Sequence, residues 1–568
     1  MERNTLDQHN SFNKNAQTHQ LPPNDTQTPD HRENTDKVIK DVDEYLYVLS
    51  SIDDKSSGPP DVPDFVTVLC ETLESMITTY TTDLIRFGKI PRDNSHFFEL
   101  VARASRLTNS LSEFPTSGGI NSAINRTSVT LQHAMAFLED EFRALLEPDD
   151  DVNLDPPQNL NKSSSFNNDN TKSTDSDHHE QQHHPKEWEV ALMRDIANAM
   201  ISCGYEMECS QAYYLARRAA IHTRTTTVLN MDDVVRMPWE SLETEISRWI
   251  NLVRTWSVFI LPSEVRLGES IFSDHPHVHS SLLASIVRVV VIQLLDFAEA
   301  AAMARRSAEK LFKYLDMYEA LQGLHGELPD EVSATAERIG ESASAIFCDL
   351  ESSIRDDAAQ TPVPGGAVHP LTRYVINYLK YACEYRDTLD KVFAGRATPF
   401  AVRVATLMEL LDENLEQKSR LYKDPSLRFV FLMNNGRYVL QKVKGSSEIR
   451  EVMGDTWCRK KSTEVRTYHK SYQRETWNRV LHCLAHEGLV TNGKPNKALL
   501  KERFKIFTAI FEEIHRTQSA WVVSDEQLKS ELRISVSSVV IPAYRSFVGR
   551  FRQYLESGKQ ADSQQDAS

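Results

Sequence analysis

Glycine is scarce in this chain, at 19 of 568 residues, which is less than half of the roughly 7% in average usage. Tight β-turns and phosphate-cradling loops consume glycine, so the shortage points to long helices joined by few turns. Paired cysteine is lacking as well. The seven cysteines, at 70, 203, 209, 348, 383, 458 and 483, are odd in number and widely spaced, with no Cys-x-x-Cys. That excludes a disulfide framework and fits reduced thiols in the cytosol. Cys203 and Cys209 fall six positions apart on one expected helix, on different faces, and read as core thiols. The first 36 residues are polar, with no apolar signal core. The most apolar stretch, Leu282–Met303, is interrupted by Arg288, Asp296 and Glu299. Its uncharged run Val289–Leu295 falls far short of the roughly 18 residues a membrane span needs. It reads as a buried helix, and any membrane contact is expected to be peripheral.

Catalytic signatures are equally sparse. GLVTNGKP (488–495) has the spacing of a phosphate loop, but Pro495 stands where a magnesium-binding Ser or Thr is required. Proline also lacks the N–H that would face a phosphate, so this is an interhelical loop. His486-Glu487 is followed by glycine and lacks the second histidine of a zinc helix, and no G-x-S-x-G elbow exists. His178, His179, His183 and His184 lie in a polar tract without a supporting cysteine and read as solvated linker. No enzyme activity, cofactor or metal is expected.

What is present is helical periodicity. Leu283, Ile286, Val290, Leu294, Phe297 and Ala301 form one apolar stripe at 3/4 steps, and Leu500, Phe504, Phe507, Phe511 and Ile514 form another. Val38, Val42, Tyr45, Leu49 and Ile52 follow the 4-3-4-3 spacing of a coiled-coil seam. Two heptads cannot stand alone, so this seam needs a partner helix in the same chain or another. Breaks fall at His275–His279, Gly323–Pro329, Thr361–Pro370, Lys423–Pro425, Gly488–Pro495 and Trp521–Asp525. The expected organisation is a disordered 1–36, a short coiled-coil-like helix at 37–55, an N-terminal helical bundle at 64–147 and a disordered linker at 148–186. Middle bundles at 187–417, a basic C-terminal bundle at 418–559 and a polar tail at 560–568 follow. The fold class is all-α, an elongated rod of stacked antiparallel bundles.

Charge is divided unevenly. Residues 418–559 hold 27 Lys and Arg against 14 Asp and Glu, while the whole chain has 64 against 81. An acidic chain thus carries a basic final quarter, which balances the acidic remainder internally or meets an anionic partner. Lys497, Lys501 and Lys505 recur every four residues with Arg503 nearby. Arg545, Arg550, Arg552 and Lys559 cluster near the end, and Arg459, Lys460 and Lys461 run together upstream. An acidic bilayer is the favoured counterpart. A nucleic acid is not, since the quarter has no RNP signature, zinc finger or recognition helix.

Several segments resemble a known family. ISCGYEMECSQAYYLARR (201–218), EKLFKYLDMYEAL (309–321), GGAVHPLTRYVINYL (365–379) and RFVFLMNNGRYVLQKVKGS (428–446) look like signature segments of the seventy-kilodalton subunit of the exocyst tethering complex, closest to its plant branch. GDTWCRKK (454–461), LLKERFKIF (499–507) and AYRSFVGRF (543–551) extend the match over Trp188 to Lys559. The resemblance implies a helical rod without catalysis, cytoplasmic and peripherally associated with the plasma membrane or vesicles, that tethers secretory vesicles before fusion. It implies contacts with other exocyst subunits, Rho-type small GTPases and phosphatidylinositol 4,5-bisphosphate. Members typically continue past the segment matching Ser557-Gly558-Lys559 into a lysine-bearing stretch and a last amphipathic helix. Here Gln560–Ser568 is polar and acidic, so those lysines have no match, and the expectation is weaker lipid contact and a partly uncovered last bundle. The alternative is a protein-only scaffold, a specialised paralogue in autophagy or defence without direct lipid binding.

Overall fold

The computed structural model describes residues 29–57, 61–82, 87, 91–115, 118–147, 185–226, 234–357, 361–491 and 494–556. The tail 560–568, most of the linker expected at 148–186, and residues 1–28 lie outside the described residues. The chain divides into two compact units. The first comprises Met1–Ile221 with Ser263–Ile286, the second His222–Pro262 with Val287–Ser568.

The first unit is built on α1 (Pro29–Ser50), α2 (Phe65–Thr82), α3 (Pro91–Ser112), α4 (Gly118–Leu146), α5 (Glu187–Ser202) and α6 (Glu206–Thr226). Helix α1 begins earlier than expected, so 29–36 are helical and not disordered. Its seam finds a partner within the chain: Val38, Val42, Tyr45 and Leu49 are buried and Ile52 half-buried, with α1 packed on α2 and α3. Tyr45 meets Phe65 of α2 edge to face at 5.8 Å. Tyr80, Phe87, Phe97 and Phe137 form an aromatic cluster among α2, α3 and α4, with Phe87 and Phe137 5.3 Å apart. The chain turns between α5 and α6 at Cys203–Tyr205, so Cys203 lies in the turn and Cys209 on α6, contrary to the one helix expected for them. Burial pushes the Cys209 thiol up to about 12, as expected of an inert core cysteine.

Helix α7 (Trp239–Thr255) of the second unit runs through a π-helical turn, Trp256–Ile260, into α8 (Leu261–Ile271), which from Ser263 on belongs to the first unit. Next comes α9 (Pro276–Met303), which enters the second unit at Val287; it is long and apolar enough to cross a membrane by composition, with half of its most apolar window buried. Ile286, Val290, Leu294, Phe297 and Ala301 of the expected stripe are buried, and Leu283 is half-buried. Trp249 of α7 is buried against α9, donating Nε1–H to the Leu294 carbonyl at 2.9 Å and stacking on Phe297. The remaining helices are α10 (Leu311–Leu321), α11 (Pro329–Arg355), α12 (Pro370–Glu384), α13 (Arg386–Phe393), α14 (Phe400–Ser419), α15 (Pro425–Lys444), α16 (Ser447–Cys483, interrupted at Gly454), α17 (Lys497–Gln518) and α18 (Glu526–Glu556). Between α16 and α17 the GLVTNGKP loop forms a minimal ladder, with Val490 opposite Pro495 and Thr491 opposite Lys494. Sequence patterning gave no strand there.

Helices α15 and α16 approach closely because Gly436 has no side chain: an added Cβ would sit 2.8 Å from Val465 Cγ2. Alanine would gain up to about 1 kcal/mol of helix propensity, but a stiff valine leaves the methyl nowhere to go, and overpacking of this kind costs about 1–3 kcal/mol. Gly436→Ala is therefore expected to lower the stability of this unit, with Val465→Ala restoring part of the loss. Urea unfolding of the single and double variants checks this, and additive losses would contradict it.

Candidate functional site at the cationic end of the last helix pair

Helix α17 starts where Asn496 Oδ1 accepts the backbone N–H groups of Ala498 (3.1 Å) and Leu499 (3.3 Å), an N-cap that fixes the rotation of the helix. Leu500 is buried, and Phe504, Phe507, Ile510 and Ile514 pack half-buried on Val480 of α16 and on Val540, Phe547 and Phe551 of α18. Phe511 departs from the expected core stripe. It is 43% exposed, resting against Phe507 and Trp477. Phe507 also stacks on Tyr544 at 5.5 Å, which lays the start of α17 beside the last turns of α18.

The sequence-nominated cations lie in the first half of α17 and the second half of α18. Lys497, Lys501, Lys505, Arg545, Arg550 and Arg552 are all exposed, while Lys559 lies outside the described residues. Lys501, Lys505, Arg545 and Arg550 form no ion pair among the described residues. Arg503 turns inward instead and donates to the His482 carbonyl at 2.9 Å. Leu499, Ile506 and Tyr544 are partly exposed among the cations, so apolar groups interleave with charge.

The upstream basic run behaves differently. Arg459 and Lys460 are exposed, but Lys461 is buried, bonded to Asp412 at 2.5 Å and 3.2 Å from Glu464. Burial pushes the Asp412 carboxyl up, against the pull of Lys461. Lys461 is thus a core ion pair and no part of a cationic surface. Arg479 and Lys529 are likewise paired, with Glu513 and Glu526.

A polar joint braces the opposite end of the helix pair, at the strap between α17 and α18. The turn before α12 carries Gly365 and Gly366 at φ of 65° and 71°, left-handed values that disfavour any residue with a Cβ. Asn434 of α15 donates Nδ2–H to the Gly366 carbonyl and to the Val522 carbonyl, both at 2.7 Å. The Val522 N–H returns to the Gly365 carbonyl at 2.8 Å. Asn435 Oδ1 accepts from the His369 N–H at 2.9 Å and from Thr372 Oγ1 at 2.7 Å. Asp525 then caps α18 through the Leu528 N–H and meets Arg437 and Gln441. Burial alone would raise its carboxyl, but those hydrogen bonds and the Arg437 charge hold it below the usual range. The joint was missed in the sequence, although two adjacent asparagines inside the apolar run FLMNNGRYVL are a sign of one.

The segments that make this joint lie within a longer stretch that is similar to known proteins. The model for the C-terminal part of the Exo70 exocyst complex subunit matches residues 247–564, more than half of the chain, and the model for its N-terminal part matches residues 70–148. The chain belongs to the Exo70 family of exocyst subunits. It is 43% identical to the exocyst complex component EXO70C1 of Arabidopsis thaliana, with 93% of this chain and 88% of that protein covered. It is 41% identical to EXO70C2 of the same plant, over 96% and 88%. Among solved structures, the Saccharomyces cerevisiae exocyst component Exo70p aligns with a TM-score of 0.55, covering 86% of this chain and 95% of its own at 13% identity. At that identity the likeness is one of fold: the all-α class of the Exo70 structures.

Proposed function

We propose that this Exo70 family member tethers secretory vesicles by staying bound to other exocyst subunits while its cationic helix end meets the acidic, phosphatidylinositol 4,5-bisphosphate-bearing leaflet of the plasma membrane. The role is non-catalytic, cytoplasmic and peripheral. The observation that carries it is the set of four exposed cations, Lys501, Lys505, Arg545 and Arg550, on two helices that pack on each other, without an ion pair among the described residues. Cations at i, i+4 spacing repel one another modestly, and an anionic surface relieves that repulsion. Each is worth about 1 kcal/mol near an acidic leaflet, so four supply about 4 kcal/mol, roughly a thousandfold in affinity. Partly exposed Leu499, Ile506 and Tyr544 add apolar contact at the headgroup boundary. A contact with Rho-type GTPases rests on the family resemblance alone.

The test is co-sedimentation with vesicles that carry phosphatidylinositol 4,5-bisphosphate, at low and moderate salt. The wild-type chain is expected to bind with an affinity that falls as salt rises, and the quadruple change Lys501→Glu, Lys505→Glu, Arg545→Glu, Arg550→Glu to lose binding at both salts. A wild-type chain that ignores these vesicles, yet co-purifies with exocyst subunits, would assign it to a protein-only scaffold instead.

A further inference from the structure

Helices α3 and α5 of the first unit touch without filling the space between them. Small side chains, Ala102 on one and Ala199 on the other, leave an open groove of about 840 Å³. The α5 wall presents Trp188, Leu192, Asp195 and Asn198 at 3/4 spacing, and Asp274, from the turn before α9, adds to that side. Trp188 is 45% exposed, a large apolar cost for a surface position.

The polar groups of the two walls are not equivalent. On α3, Arg103 is committed to Asp43 of α1 through bonds of 3.0 and 2.7 Å and lies 3.4 Å from Glu99, while Arg106 stands 3.7 Å from Asp43. Those cations already have carboxylates. On the α5 side the imbalance runs the other way. Asp195 and Asp274 form no ion pair among the described residues. Asn198 donates Nδ2–H to Asp274 at 2.7 Å, and its own Oδ1 is buried with no hydrogen-bond partner. Burial pushes the Asp195 carboxyl up, with Arg194 beside it pulling the other way. An indole face, two carboxylates without an ion pair and an orphaned amide oxygen leave this wall with acceptors in excess. It lacks a planar, multiply donating cation, and guanidinium supplies one that also stacks on tryptophan.

From this we infer that the α3–α5 groove docks a helical segment of a partner protein, laying apolar residues against Phe98, Leu192 and Trp188 and directing an arginine to Asp195 and Asp274. Grooves between helices take amphipathic helices in this way, and the unpaired carboxylates select an arginine-bearing partner over an acidic one by charge complementarity. The site is independent of the cationic end of the second unit.

The test uses the full chain and two fluorescein-labelled amphipathic helical peptides, identical except for arginine or glutamate at the centre of the polar flank, read by fluorescence anisotropy. The arginine peptide is expected to bind saturably and the glutamate peptide at least about tenfold more weakly, the difference expected of one desolvated charge pair. Asp195→Asn with Asp274→Asn, both at exposed positions, is expected to weaken the arginine peptide at least about tenfold and to erase the preference between the two. Lys501→Glu with Lys505→Glu is expected to leave its binding unchanged. Equal binding of the two peptides, binding that ignores the paired asparagine change, or no binding at all would overturn the proposal. So would self-association of the chain that Trp188→Ala abolishes, since that would give the groove to a second copy.

Discussion

Arg217→Ala is expected to cost the first unit about 3–5 kcal/mol, because it strands a carboxylate in the interior. Arg217 of α6 holds Glu264 of α8 through both carboxylate oxygens, with Nε 3.0 Å from Oε2, and donates from the other terminal nitrogen to the Leu146 carbonyl at the end of α4 at 3.2 Å. Glu264 is 4% exposed and Arg217 12%, so water cannot replace the guanidinium. Tyr213 lies close enough that burial and the Glu264 charge push its phenol upward. Hydrogen exchange of peptides from α6 and α8 reads the loss locally. Arg217→Met with Glu264→Leu, which removes both charges, is expected to recover most of it. If the single arginine change costs under about 1 kcal/mol, the range of a surface pair, the clasp is not structural.

Asn434→Ala is expected to cost the second unit about 2–6 kcal/mol, from two carbonyls left without donors at roughly 1–3 kcal/mol each. The amide is the shared donor that ties the Gly366 turn to the strap before α18. Its removal should therefore raise exchange in both segments, 363–370 and 519–525, and leave the α7–α9 packing untouched. Asn434→Asp should be worse than alanine, because a carboxylate would face two carbonyl oxygens with no proton to offer. Loss of protection in only one of the segments would show that the joint is two separate contacts.

These two sites differ in how far the sequence disclosed them. The α9 stripe was legible because six apolar residues at 3/4 steps admit few other readings, and the structure buries five of them. The α1 seam was legible as an apolar seam, but periodicity reports that a partner exists and not whose it is; α2 and α3 turn out to supply it. The cations of α17 and α18 were visible as charge. Which of the basic residues were already neutralised was not, since Lys461 finds Asp412 49 positions away and no local pattern encodes that. The Asn434–Asn435 joint showed only as a stretch resembling other proteins, because its partners lie 63 to 88 residues distant. The α3–α5 groove was invisible for a plainer reason: it is made by what Ala102 and Ala199 leave empty.

The decisive measurement separates assembly from membrane contact in one experiment. Tag the full chain and its Lys501→Glu, Lys505→Glu, Arg545→Glu, Arg550→Glu form in plant cells, then determine which exocyst subunits co-purify with each and what share of each sediments with membranes. The expected result is equal recovery of exocyst subunits and a quadruple variant depleted from the membrane fraction. A variant that sediments with membranes as fully as the wild type, or a wild-type chain that recovers no exocyst subunit, would contradict the proposed role.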